Sequence, residues 1–249
     1  MAKTYVIGNW KNYVTSLKEG KKLFKDIEKK LPRTLKANVV VCPPALLIHP
    51  LSSSYSGKRI SFGAQDVFFE SGAHTGETTV ALAKDVGATY TIAGHAERRA
   101  QGETDEIVAR EVGAALDARM TPVVTFGEEE RDKDGHYLKA LQETILASLA
   151  LVDAKSLKKV LLAYEPVWAI GAPLPPNARA IRETIIFIRK TLAQKYSKAD
   201  ALKVPILYGG AVNVESADDL IQHSGASGFL LGRASVHADT FVEIVHKFQ

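Results

Sequence analysis

The sequence predicts an α/β fold in which residues 1–249 form a single closed (β/α)8 barrel. Three observations predict it. Short runs rich in β-branched and apolar residues recur along the whole chain, each followed by polar or glycine-containing residues and then by a segment of helical hydrophobic period. Strands that alternate with helices require a parallel sheet, because a parallel crossover needs a long connection. Eight such units in 249 residues is the size of a closed barrel. An open doubly wound sheet is the alternative, but the first strand is not followed by the Gly-x-Gly-x-x-Gly turn that cradles a dinucleotide.

The first strand, residues 5–8, is followed by Asn9 and Lys11, an amide and a cation placed beyond a strand's C-terminal end. A helix over 17–30 comes next; its lysines alternate with acids and apolar residues at helical spacing, as on a solvated face, and lack the clustered cations and aromatics of a nucleic-acid stripe. Strands two and three fall at 38–42 and 60–64, the third ending before Gln65. Strand four, 90–93, runs into His95, and Ala96-Glu97-Arg98-Arg99 reads as the first turn of a short helix, with a longer helix over 104–118. Strand five at 122–125 precedes a helix over 139–150. Strand six, 160–164, stops at Glu165-Pro166, and a helix over 178–194 leads to strand seven at 205–208 and to Gly209-Gly210. A helix over 217–222 precedes strand eight at 228–231, which ends before Gly232, and a helix over 240–246 closes the series. Unrelated segments thus deliver polar or glycine residues to one rim, the C-terminal face where barrels build their active sites.

The composition agrees with a folded enzyme-sized chain: 46% hydrophobic and 24% charged residues support a full core and exclude disorder. No uninterrupted apolar run of about 18 residues occurs, and residues 1–11 lack a basic leader followed by an apolar stretch, so neither a membrane span nor a secretory signal is expected. The single cysteine, Cys42, makes no internal disulfide and no zinc site by itself, which fits a reducing, cytoplasmic setting. A net charge of +4 tolerates an anionic ligand without implying nucleic acid.

Each rim group suits a step of proton-transfer chemistry. Glu165 emerges where an apolar strand meets a rigid bend; a carboxylate shielded from water there is a stronger general base. The positive end of a short helix beginning at His95 favours neutral imidazole, which still donates a hydrogen bond to a carbonyl oxygen. Lys11 needs an acid such as Glu97 if it is to be desolvated. Gly209-Gly210 and Gly232 suit a phosphate in the loops after strands seven and eight. The apolar loop Pro166-Val167-Trp168-Ala169-Ile170-Gly171-Ala172-Pro173-Leu174 reads as a lid that excludes water.

Taken in order, Asn9-Trp10-Lys11, Gln65 with Thr75-Gly76-Glu77, Gly94-His95-Ala96-Glu97-Arg98-Arg99, Tyr164-Glu165-Pro166-Val167-Trp168-Ala169-Ile170-Gly171, Tyr208-Gly209-Gly210 and Gly228-Phe229-Leu230-Leu231-Gly232 resemble the triosephosphate isomerase family from the first strand to the last. The resemblance implies that Glu165 shuttles a proton between adjacent carbons of a three-carbon sugar phosphate while neutral His95 polarises the carbonyl, the roles known for that family. It implies that Lys11 and Asn9 stabilise the enediolate, that Glu97 orients Lys11, and that backbone amides near Gly171, Gly210, Gly232 and Arg233 hold the phosphate as the lid closes. No metal or organic cofactor is implied. It further implies a homodimer in which the loop carrying Gln65, Thr75, Gly76 and Glu77 enters the neighbouring copy.

The chain also departs from the family. Ala96 and Ala211 stand where that family has serines, so two hydroxyls are missing. Its usual Gly-Thr-Gly-Lys lid tip is replaced by Gly171-Ala172-Pro173-Leu174, with a deletion of about two residues, and Pro173 has no N–H to give. In the family the lid tip bonds the serine that Ala211 replaces, so donor and acceptor are altered together, a change that costs less than losing one alone. Tyr208 then remains as a latch to a backbone N–H near Leu174. Asn12-Tyr13 is unusual after the family's lysine, and Arg233 stands in place of a second glycine. Two alternatives stay open beside an active triose isomerase: a non-catalytic barrel that binds phosphorylated ligands, and an isomerase of another small sugar phosphate.

Overall fold

The strands of the computed structural model, which describes residues 3–132, 134–170 and 175–249, run β1 (Thr4–Asn9), β2 (Ala37–Cys42), β3 (Ile60–Ala64), β4 (Ala88–Ala93), β5 (Thr121–Phe126), β6 (Leu161–Tyr164), β7 (Ile206–Tyr208) and β8 (Gly228–Leu231). All pair in parallel with their sequence neighbours, and β8 returns to β1, with Tyr5 opposite Gly228 and Gly8 opposite Leu231, to close the barrel. The period-two alternation of each strand sorts its residues. Tyr5, Ile7, Val40, Cys42, Ile92, Val123, Leu161, Ala163, Leu207 and Leu230 pack into one cluster in the barrel interior. Val6, Val39, Val41, Val124, Leu162, Ile206 and Phe229 face outward into a larger cluster with Phe24, Ile27, Val108, Val112, Ile181 and Ile185 of the helices.

Ten α-helices are formed by the described residues: α1 (Leu17–Lys30), α2 (Ala45–Ser52), α3 (Val80–Asp85), α4 (Ala96–Arg99), α5 (Asp105–Asp117), α6 (His136–Ser148), α7 (Ala178–Lys195), α8 (Lys198–Lys203), α9 (Val214–His223) and α10 (Ala238–His246). Caps explain where several begin. Thr104 accepts the Ile107 N–H ahead of α5, and Asn213 and Ser216 exchange side-chain to backbone bonds to start α9, three residues before the expected 217. β6 starts at Leu161 because the Val160 N–H is taken by Leu157 in a preceding 3-10 turn.

The helices α2, α3 and α8 are not anticipated by periodicity. α3 and α8 have six residues each, too few to display a period, and α2 is mostly apolar and contains Pro50. Among the described residues, no helix is long and apolar enough to cross a membrane.

Candidate active site

The rim is assembled from the loop after β1 onward. Lys11 has φ +46°, a left-handed conformation costing about 1–3 kcal/mol for a residue with a Cβ. Its surroundings hold it there. The Lys11 N–H donates to Asn9 Oδ1 at 3.0 Å, and Gln65 Nε2 donates to the carbonyls of Lys11 at 2.7 Å and Cys42 at 3.0 Å. Trp10, fully buried between them, anchors the turn from below. The side chain of Lys11 then reaches Glu97 Oε1 at 2.6 Å. Gln65 therefore positions the lysine within its own chain, whereas Thr75, Gly76 and Glu77 lie exposed at the far end of their loop.

His95 caps α4: its Nδ1 accepts the Glu97 N–H at 3.1 Å. A nitrogen that accepts carries no proton, so the ring is the neutral tautomer with hydrogen on Nε2. That Nε2 lies 3.7 Å from Glu165 Oε1, and both side chains are buried. Glu165 follows β6, its N–H bonded to the Phe126 carbonyl at 2.8 Å, and its Oε2 has no partner among the described residues. An unpartnered buried carboxylate oxygen beside an imidazole N–H is the geometry of a base and an electrophile awaiting a substrate.

The floor beyond this pair is glycine. Gly209 and Gly210 follow β7, and Gly232 and Arg233 follow β8. For Gly209 the phosphate expectation is corrected: its N–H is taken by the Tyr164 carbonyl at 2.8 Å, so it offers no donor to a ligand. Its role is steric, since a Cβ there would stand 2.4 Å from Glu165 Cγ. A Cβ on Gly210 would stand 2.2 Å from the Tyr208 hydroxyl, which is buried beneath it without a partner among the described residues. A cavity of about 610 Å³ runs from Asn9, Lys11, His95, Glu97 and Glu165 past Gly210 and Ala211 to Gly232 and Arg233, with Ile170 and Pro175 at its edge.

Residues 166–170, the described part of the segment expected to form a lid, are tethered by a network that sequence reasoning missed. Glu128 Oε1 accepts from the Tyr164 hydroxyl at 2.7 Å, from Arg131 Nε at 2.8 Å and from Trp168 Nε1 at 3.1 Å. The Val167 N–H donates to the Glu128 carbonyl at 2.9 Å, and Val167–Ala169 form a 3-10 turn after Pro166. Arg131 also donates to Tyr164 at 2.7 Å and to Thr184 at 2.9 Å. Burial and the neighbouring Glu128 carboxylate push the Tyr164 phenol up, so it remains a donor. A signal existed, because Glu128 follows the end of β5 as Glu165 follows β6. Gly171, Ala172, Pro173 and Leu174, expected to form the lid tip and its phosphate contact, lie outside the described residues.

Fold and site together define a (β/α)8-barrel enzyme of proton transfer, with acid, imidazole and ion-paired lysine on one rim and a glycine floor beside them. The chain belongs to the triosephosphate isomerase family: the family model of that description matches residues 4–248. Proteins named triosephosphate isomerase resemble it over almost their whole length. Among them, that of Roseiflexus sp. is 38% identical over 96% of this chain and 95% of its own. Those of Moorella thermoacetica and Carboxydothermus hydrogenoformans are 37% and 36% identical, covering 99% and 98% of both chains.

Proposed function

We propose that the protein interconverts dihydroxyacetone phosphate and D-glyceraldehyde 3-phosphate through an enediolate, without a metal or organic cofactor. The observation that carries this reading is the His95–Glu165 pair, 3.7 Å apart in a cavity that also holds the Lys11 ammonium. Glu165 takes the proton from one carbon of the bound triose, leaving the electron pair to form the enediolate. The His95 Nε2–H donates to the carbonyl oxygen as negative charge builds there and carries protons between the two oxygens. Lys11 and Asn9 stabilise the same charge, with Glu97 fixing the direction of the lysine. Protonated Glu165 then returns its proton to the adjacent carbon. Amides near Gly210, Gly232 and Arg233 hold the phosphate, and closure of the segment from Pro166 keeps water from the intermediate.

A coupled assay of glyceraldehyde 3-phosphate isomerisation, run beside Glu165→Gln, tests this. Turnover that collapses by about 10²–10⁴ in the variant supports it. A folded wild type that binds a phosphorylated enediolate mimic yet never turns over would make the chain a binding barrel, and faster turnover of a longer sugar phosphate would move the substrate. We further infer a homodimer through the exposed loop carrying Thr75, Gly76 and Glu77, in a reducing cytoplasm. Light scattering at the mass of one 27.0 kDa chain would rule the dimer out.

A further inference from the structure

We propose that the guanidinium of Arg233 is the principal cationic contact for the substrate's phosphate, and so sets affinity for dianionic substrates before the lid closes. This rests on the isomerase reading above. Among the described residues that line the cavity, two are cations, Lys11 and Arg233. They are not equivalent. Lys11 is already neutralised by Glu97 at 2.6 Å and stands beside the reacting pair. Arg233 is exposed, and its side chain makes no hydrogen bond or ion pair with another described residue. The wall also carries two carboxylates, Glu97, which is committed to Lys11, and Glu165 beside His95, so Arg233 is left as the lining cation without a carboxylate partner among the described residues.

The position fits the task. Gly232 packs against the lysine stem, a Cβ there standing 3.3 Å from Lys11 Cε, and Arg233 follows it in the cavity wall. Gly210 and Ala211, which line the same cavity, bring no charge and no hydroxyl. A phosphate seated over the glycine floor thus meets neutral donors and one unpaired guanidinium, whose planar fork matches two phosphate oxygens at once. Because Arg233 belongs to the loop after β8, its attraction acts on the cavity as it stands, without any movement of the segment after Pro166.

The test compares wild type with Arg233→Ala and Arg233→Lys, using Lys198→Ala on the exposed face of α8 as a control for net charge. For Arg233→Ala the expected result is a KM for glyceraldehyde 3-phosphate raised by about 10- to 100-fold, the size of a lost charge-assisted hydrogen bond, with kcat changed far less. Competitive inhibition by inorganic phosphate weakens by the same factor, kcat/KM falls less with added salt than in the wild type, and Arg233→Lys recovers part of each. Unchanged KM, phosphate inhibition and salt dependence in a folded Arg233→Ala protein would overturn the proposal. Should Arg233→Ala fail to fold, Arg233→Lys alone decides: intermediate phosphate affinity supports the proposal and wild-type affinity overturns it. If the wild type shows no isomerase turnover, the isomerase reading fails separately. Phosphorus-31 line broadening of inorganic phosphate then decides this one, supporting it when Arg233→Ala abolishes the broadening and overturning it when the variant matches wild type.

Discussion

Gly209 makes room for Glu165: a methyl group on its Cα would stand 2.4 Å from the glutamate Cγ and 2.9 Å from Oε1. The glycine's N–H is committed to the Tyr164 carbonyl, so its backbone is fixed and the clash would be relieved by the carboxylate. Gly209→Ala is expected to displace Glu165 and lower kcat by about 10²-fold, since roughly 1 Å of misplacement at the reacting atoms costs that much. KM and the melting temperature should change little by comparison. Steady-state kinetics with a thermal melt checks this, and a kcat within threefold of wild type would show that the pocket yields elsewhere.

Arg131 is the hub of the network that holds Val167 and Trp168. It neutralises Glu128, which is 6% exposed and also holds Trp168 and Tyr164. Arg131→Met keeps much of the stem's volume but strands that carboxylate, an arrangement that typically costs about 3–5 kcal/mol when a buried pair is broken. The expected outcome is a loss of stability near the lower figure, because the arginine is partly exposed, together with a lower kcat from a lid hinge that no longer holds one geometry. Denaturant unfolding and turnover measured on the same preparation test both halves.

Ala211 lines the cavity at the position where the family resemblance implies a serine that bonds the lid tip. If acceptor and donor were altered together, restoring the acceptor alone leaves it without its partner. Ala211→Ser should therefore change turnover by less than tenfold in either direction. A gain above tenfold would show that the closed lid still presents a donor there and that the lost hydroxyl is an uncompensated defect.

These variants also mark what was legible in the sequence. Glu165, His95, Lys11 and Glu97 could be found because each follows a recognisable strand or helix start, and the barrel rule sends such positions to one rim. The arrangement among them was not readable. That Nδ1 of His95 is an acceptor depends on the turn of α4, and that Gln65 pins Lys11 depends on two loops meeting. Gly209 looked like a phosphate donor because a glycine pair after a strand signals one; only the β6 carbonyl opposite it reveals a steric role. Glu128 stands out less, because its acid-rich surroundings resemble a solvated loop. The helix α2 hid for a different reason, its apolar residues surrounding the axis instead of forming a stripe.

Asp66, Glu103 and Glu111 bring three carboxylates within 4.8 Å of one another, with Arg98 2.9 Å from Asp66 and 3.5 Å from Glu103. Burial, then the charges of Glu103 and Asp66, push Glu111 up to about 9 from its ordinary 4.5; burial likewise raises Asp66 to about 6 from 3.8. The folded state therefore keeps protons that the unfolded chain releases. The stabilisation is complete below the ordinary carboxylate range and is lost progressively as pH rises, through about 6 for Asp66 and about 9 for Glu111. Glu111→Gln keeps the shape and removes the larger share of this proton dependence. Thermal melts should show the wild type losing stability between pH 5 and pH 9 and the variant holding a flatter profile, the two coinciding near pH 5 and the variant melting higher near pH 9. Parallel profiles across that window would mean that Glu111 is already ionised in the folded protein and that Arg98 shields it far better than its distance from the cluster suggests.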